Sequence, residues 1–190
     1  MSNFSFNIDD FTSVIQRRGG LQSPNRYSVK IQSPVPGASS IENDIPLLAE
    51  NVAFAGRSIA TSDYKTYGPV IKVGRESIYS DLSITFILTN DMEMKTYFDK
   101  WMNKVQNDIS YDPSYYDSYV GNIFIGQLKS NEEAKILQGK SNANKFSYAQ
   151  QIQDAFPTAV ADIALGHAEN NTYGKLQVTF TYRKSINLNL

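Results

Sequence analysis

Three segments of this chain alternate apolar and polar side chains with a period of two. In 26–32, Tyr27, Val29 and Ile31 oppose Arg26, Ser28 and Lys30. In 81–88, Leu82, Ile84, Phe86 and Leu88 oppose Asp81, Ser83 and Thr85. In 174–183, Leu176, Val178, Phe180 and Tyr182 oppose Lys175, Gln177, Thr179, Thr181 and Arg183. Successive side chains of a strand point to opposite faces, so each segment reads as a strand with one buried and one wet face. Sheets that face water on one side are antiparallel or mixed.

One helix stands out against this pattern. In 91–106, Met94, Phe98, Trp101 and Val105 fall on a single stripe. Asn90 is placed as its cap, Glu93 completes a capping-box-like signal, and Lys100 and Lys104 lie toward the C-terminal end, where the helix dipole favours them. The stripe reads as core. A shorter amphipathic helix is expected over 8–18, with Ile8, Phe11 and Ile15 on one side. Asn7 is its cap, Asp9 and Asp10 favour its positive end, and Gly19-Gly20 stop it. So short a helix is marginal alone and needs a surface to dock on.

Further strands are expected near Asn51, over Val120–Leu128, and over Phe146–Ile152 and Thr158–Leu165 on either side of Pro157. Residues 33–46 hold three prolines and Gly37 and read as a loop. Residues 107–119 are turn-rich and carry Tyr111, Tyr115, Tyr116 and Tyr119. The expected architecture is α+β: two packed β-sheets in a barrel-like sandwich, one main flanking helix and a short N-terminal helix. The chain reads as one domain over 1–190, with an arm at 1–24 and an exposed polar insertion at 129–145. Between the breaks at Gly56 and Gly68-Pro69 lies a polar, aromatic hairpin. Across 56–80, the mixture of Tyr64, Tyr67 and Ile78 with Arg57, Asp63, Lys65 and Arg75 suits an interface better than a core.

Composition excludes several function classes. Eighteen Lys+Arg balance nineteen Asp+Glu, so no general attraction to a phosphate backbone is expected. The absence of cysteine removes disulfides, thiolate metal sites and thiol nucleophiles. It fits assembly in a reducing cytoplasm. Asp9 and Asp10 sit where a secretory leader needs an apolar core, and no stretch approaches the roughly 20 apolar residues of a membrane span.

No residue earns a catalytic, cofactor-binding or metal-binding role. His167 is the only histidine, and no nucleophile elbow accompanies it. His167 with Glu169 supplies too few ligands for a metal, and Asp112 and Asp117 lack the order of a calcium loop. Gly139-Lys140-Ser141 ends like a phosphate-binding loop, but Ala134 stands where that pattern requires glycine and no apolar strand precedes it. The triplets beginning at Asn3 and Asn170 carry no weight as glycosylation sites without a secretory signal. The tyrosines suit an interface or core, with a sugar- or base-stacking platform as the competing use.

Several segments, in order, resemble the tail tube proteins of T4-type contractile phages. They are Asp9-Asp10-Phe11 with its helix; Ser23-Pro24-Asn25-Arg26-Tyr27 entering the first strand; Phe54-Ala55-Gly56-Arg57 with Tyr67-Gly68-Pro69; Asp81-Leu82-Ser83-Ile84-Thr85-Phe86 with Asn90-Asp91 and the helix ending Phe98-Asp99-Lys100-Trp101; Asp154-Ala155-Phe156-Pro157; and Leu176–Tyr182. The resemblance implies a non-enzymatic virion protein without cofactors. Six copies would form a ring whose inner sheets join, and rings would stack into a channel for DNA and a tape-measure protein. The 56–80 segment is expected to reach the next ring. The implied partners are further copies, the tail sheath and the baseplate hub. Phe54-Ala55 replaces the family's usual Leu-Pro, which with the 129–145 insertion keeps a baseplate or tube-initiating relative open. A β-rich glycan-binding module is the alternative from another class.

Overall fold

The computed structural model describes residues 7–65, 67–129, 146–166 and 172–188. The elements in chain order are α1 (Ile8–Arg17), β1 (Tyr27–Gln32), α2 (Ser39–Leu48), β2 (Ala49–Val52), β3 (Arg57–Tyr64), β4 (Ile71–Tyr79), β5 (Leu82–Ile87), α3 (Glu93–Val105), α4 (Tyr116–Tyr119), β6 (Gly121–Leu128), β7 (Phe146–Val160), β8 (Lys175–Thr181) and β9 (Lys184–Asn187). Helices and strands mix as the sequence leads one to expect. The strands form one antiparallel seven-stranded sheet and one separate hairpin. The large sheet follows the order β1-β6-β7-β8-β5-β2, with β9 also on β7. It is not a closed barrel, since β1 and β2 end the path.

The sandwich is made by folding this single sheet at β7. The sequence suggests two strands bent around Pro157, but the chain runs as one 15-residue strand. Its first part pairs with β6 and β9 and its last part with β8. The turn comes at Asp154, in the left-handed region at φ 55°. There Gly121 and Ile123 of β6 face Ala155 and Ile152, so β7 carries an extra residue. A bulge of this kind bends its strand and sharpens the twist. The opposite edge breaks at the same level, between β8 and β9. Arg183 ties the two breaks: its amide donates to the Gln153 carbonyl and its Nε lies 2.6 Å from the Asp154 carboxylate. Pro157 sits next to a second irregularity, against Phe180.

Both halves turn apolar residues toward one core. Val29, Ile31, Ile123, Ile125 and Ile152 come from one half, and Ile84, Phe86, Leu176, Val178 and Phe180 from the other. Strand alternation in the sequence places Val29, Ile31, Ile84, Phe86, Leu176, Val178 and Phe180 among them; Ile123, Ile125 and Ile152 follow only from the structure. Helix α3 covers this core with Met94, Phe98 and Trp101 fully buried, Tyr97 nearly so and Val105 half-buried. The Phe98 ring meets Phe86 at 5.2 Å, Tyr97 at 4.9 Å and Phe180 at 5.8 Å between centroids. The Trp101 indole donates to the Tyr119 carbonyl at 2.7 Å, so the largest core side chain has its polar atom satisfied. Tyr97 lies on the flank of the predicted stripe. Its hydroxyl is buried beside Ser33 and Glu42 without a hydrogen bond to either, and burial drives its pKa well above the usual tyrosine range.

Two local expectations fail for identifiable reasons. Asn90 does not cap α3. The residue before the helix is Met92, at φ 53°, and the first-turn donor is met by the Asp91 carboxylate, which accepts from the Glu93 amide and the Thr89 hydroxyl. The expected loop at 33–46 contains α2. Its prolines mask the Ile41/Ile45 spacing, and Pro46 is accommodated in the last turn of the helix. Buried Ile41 and Ile45 hold α2 against the sheet, and Glu42 accepts from the Ser33 amide and hydroxyl. Tertiary burial outweighs the helix-breaking tendency of the segment. The polar insertion at 129–145 lies, apart from Lys129, outside the described residues.

The solvent side of the β5/β8 half carries Ser83, Thr85, Gln177 and Thr179, with Gln177 donating to the Ser83 hydroxyl at 2.7 Å. On the β6/β7 half the same side is partly apolar. Phe146, Leu128 and Ala149 form a second small cluster there. The Phe146 ring occupies the space a Cβ would take at Gly126, so glycine is required at that position.

Because Phe98 is fully buried against Phe86 and Phe180, Phe98→Ala should lower the unfolding free energy by about 3–5 kcal/mol. Chemical denaturation followed by tryptophan fluorescence measures it; a loss below about 1 kcal/mol would contradict this packing.

Candidate functional site

The chain's unusual surface is the β3–β4 hairpin. Its strands pair from Arg57↔Tyr79 to Tyr64↔Ile71, with one irregularity after Ala60. Nearly every side chain is exposed, and Tyr67 near its tip is 99% exposed. A two-stranded ribbon with no core behind it is marginal in water. The pairing explains what such a ribbon offers. Opposed residues share a face, so Ser58/Ile78, Ala60/Glu76, Ser62/Val73 and Tyr64/Ile71 lie together. The other face carries Arg57/Tyr79, Ile59/Ser77, Thr61/Gly74 and Asp63/Lys72. The hairpin is therefore amphipathic, with Ile78, Val73, Ile71 and Tyr64 exposed on one side. The sequence reading anticipated an interface here. It did not separate the faces, because that needs the register and the irregularity at Ala60/Thr61.

Helix α1 is the second such surface. It forms where expected, with Asn7 preceding it, although the Asn7 side chain makes no capping bond. Its Ile8, Phe11 and Val14 are exposed and no residue of the helix is buried. The predicted need for a docking surface is thus unmet within the chain.

The tyrosine-rich segment does not form a flat platform. The Tyr116 and Tyr119 rings meet edge-on at 76°, and Tyr119 packs edge-on against Phe156 at 5.2 Å. Tyr111 and Tyr115 stay exposed, and Tyr111 adopts φ 58° in a tight turn that its amide closes onto the Asn107 carbonyl. Stacking on a sugar or base needs parallel accessible faces, which these pairs lack.

Shallow clefts also lie among the described residues. One of about 420 Å³ lies between the 18–23 arm, Phe54 and Tyr148. Another, of about 250 Å³, lies between Gly37, Glu93, Tyr97 and Lys100. A surface cluster joins Glu50 to Lys175 at 2.6 Å and to the Tyr173 hydroxyl at 3.0 Å. The Lys175 bond holds the Glu50 carboxyl below its usual range. This is a solvated ion pair that reaches from β2 to β8 across the end of β5. Among the described residues no group of three or more His, Cys, Asp or Glu is placed to hold a metal, and Asp112 and Asp117 join none. No described helix is long and apolar enough to cross a membrane. His167, Glu169, Gly139-Lys140-Ser141, Asn3 and Asn170 lie outside the described residues.

The sequence profile of a family described as "Phage tail tube protein" matches residues 22–187. The chain belongs to the phage tail tube protein family. It is a structural protein of a tail tube. A comparison with curated proteins finds no match. Solved structures share the fold at low identity. A chain of the extended sheath–tube complex of an extracellular contractile injection system is 14% identical, with 96% of this chain and 98% of that one covered and a TM-score of 0.59. A chain from the sheath/tube terminator of such a system is 15% identical, over 88% and 96%, with a TM-score of 0.61. A chain from the anti-feeding prophage baseplate is 12% identical, over 88% and 97%, with a TM-score of 0.58. The matched region begins after α1 and includes the whole β3–β4 hairpin.

Val73 and Ile78 support no core in the single chain. Val73→Lys with Ile78→Lys should change the unfolding free energy of the monomer by less than about 1 kcal/mol. The same pair should abolish self-association in sedimentation velocity. Association matching that of the unaltered protein would remove this face from the assembly.

Proposed function

We propose that this chain is a single tube domain that builds closed rings of six copies, stacked into a hollow tail tube, and that it performs no catalysis. One observation carries the reading. Among the described residues the edge strands β1, β2 and β9 of the large sheet and an amphipathic hairpin are left without a further strand beside them, a surface that other copies would cover. Exposed strand edges invite pairing with another chain, and closing a ring removes them. Ring contacts between unlike surfaces close on themselves, while stacking contacts stay open and generate a filament. The hairpin is the element suited to reach the next ring, because it projects away from the core.

The Ser83, Thr85, Gln177 and Thr179 stretch of this face supplies a wet, uncharged patch, with Lys175 paired to Glu50 at one end and Asp81 bonded to Thr181 at the other. As the lining of a channel, such a face would let a polyanion pass without holding it, because strong binding requires many neutralised phosphates. DNA and a tape-measure protein are the proposed cargo. The sheath and the baseplate hub are the proposed outer partners, in keeping with the sheath–tube and baseplate assemblies in which similar folds occur. Assembly in the host cytoplasm suits a chain without cysteine. The same similarities also support a second reading, a tube-initiating or terminating protein that forms one ring and stops.

Negative-stain electron microscopy of the purified chain separates these readings. Tubes of variable length are expected for a tube subunit and isolated rings for an initiator. A monomer at high concentration would defeat both. Shortening the 56–80 hairpin should leave rings but no long tubes.

A further inference from the structure

Among the described residues two amphipathic surfaces lack a cover, and their shapes and charges match. We infer that the apolar stripe of α1 docks on the Ile71/Val73/Tyr64 face of the β3–β4 hairpin of a second copy, with Arg18 paired to Glu76 across the contact. This rests on the reading of the chain as a self-assembling subunit and names two surfaces that would meet.

The helix stripe is Ile8, Phe11 and Ile15, with Arg18 continuing the same side one turn further on. Asp9, Asp10, Ser13 and Arg17 fall on the opposite side. On the hairpin, Glu76 is the one charged side chain of the apolar face, opposite Ala60. One acid on one surface thus faces one base on the other, while Arg57, Asp63 and Lys72 lie on the hairpin's other face and Asp9, Asp10 and Arg17 on the helix's other side.

The dimensions agree. From Ile8 to Arg18 the helix rises about 15 Å. From the Ala60/Glu76 pair to the Tyr64/Ile71 pair the hairpin extends about 13 Å. A helix about 10 Å wide covers a ribbon of two strands and their side chains. With Arg18 over Glu76, Ile15 meets Val73, and Phe11 and Ile8 lie over Ile71 and Tyr64. Within one chain this contact is not made, because α1 buries no residue and the hairpin face is exposed. Docking would relieve both the marginal short helix and the unsupported ribbon. Because donor and acceptor surfaces differ, the contact is heterologous and leaves the pair one free helix and one free hairpin, so further copies add in the same way.

The chain has no cysteine, so introduced thiols report one contact only. Ile15→Cys and Val73→Cys are made in separate chains, mixed, and treated with oxidant or a short bismaleimide. A mixed dimer on a denaturing gel is expected, and neither variant alone should give it in comparable yield. Circular dichroism checks that each variant is folded. Arg18→Glu and Glu76→Arg should each raise the critical concentration for assembly by about fivefold, and the two together in one chain should restore it. Three results would overturn the inference. A cross-link that forms inside the doubly substituted chain at high dilution places the helix on its own hairpin. Rings or tubes visible in the microscope without any mixed dimer leave the tube reading standing and remove this contact. Absence of both cross-link and assemblies removes the contact and the tube reading together.

Discussion

The structure depends on the way a single sheet is bent so that one helix covers both halves. The bend requires an extra residue in β7 at Asp154 and a matching break beyond β8, held by the Arg183–Asp154 ion pair. The fold around the bend requires a plug, and α3 supplies it through Phe98 and Trp101. Neither device suffices alone. A bent sheet without a cover would expose Phe86 and Phe180, and an aromatic helix without a concave surface would have nothing to fill. Aromatic rings at edge and tilted angles suit such a junction because they contact several strands at once.

This arrangement separates the molecule into a closed part and an open part. The closed part is the core shared by both sheet halves, α2 and α3. The open part comprises the hairpin, α1 and the sheet edges, where apolar or unpaired groups meet water. In an isolated protein these features are liabilities, since exposed strand edges and apolar ribbons promote uncontrolled association. In the proposed assembly they are the contacts. The middle of the polar strand face is built from hydroxyls and amides, while on the hairpin Arg57, Asp63 and Lys72 share one side.

The family assignment and the geometry reach the same conclusion by separate routes. The profile match covers the sheet, the hairpin and α3, whereas similarity to solved structures at 12–15% identity shows only that the fold recurs. Family membership gives the role of tube protein. The geometry adds which surfaces are available, and it argues against a stacking platform because Tyr116, Tyr119 and Phe156 meet edge-on.

Periodicity alone was enough to place Val29, Ile31, Ile84, Phe86, Leu176, Val178 and Phe180 in the core and Met94, Phe98 and Trp101 on the covering face, because strand and helix geometry fix those spacings locally. The hairpin was legible as an excursion from its glycines and mixed polarity, and α1 from its stripe. Other features were invisible for physical reasons. Helix α2 forms against its prolines because Ile41 and Ile45 find a buried surface, which no local signal reveals. The bend at Asp154 depends on the register between β6 and β7, and register is a relation between distant segments. The two faces of the hairpin likewise followed only once cross-strand partners were known, since an irregular pairing shifts which residues share a side. Local rules decide which side chains want burial; only the paired strands decide what each of them meets.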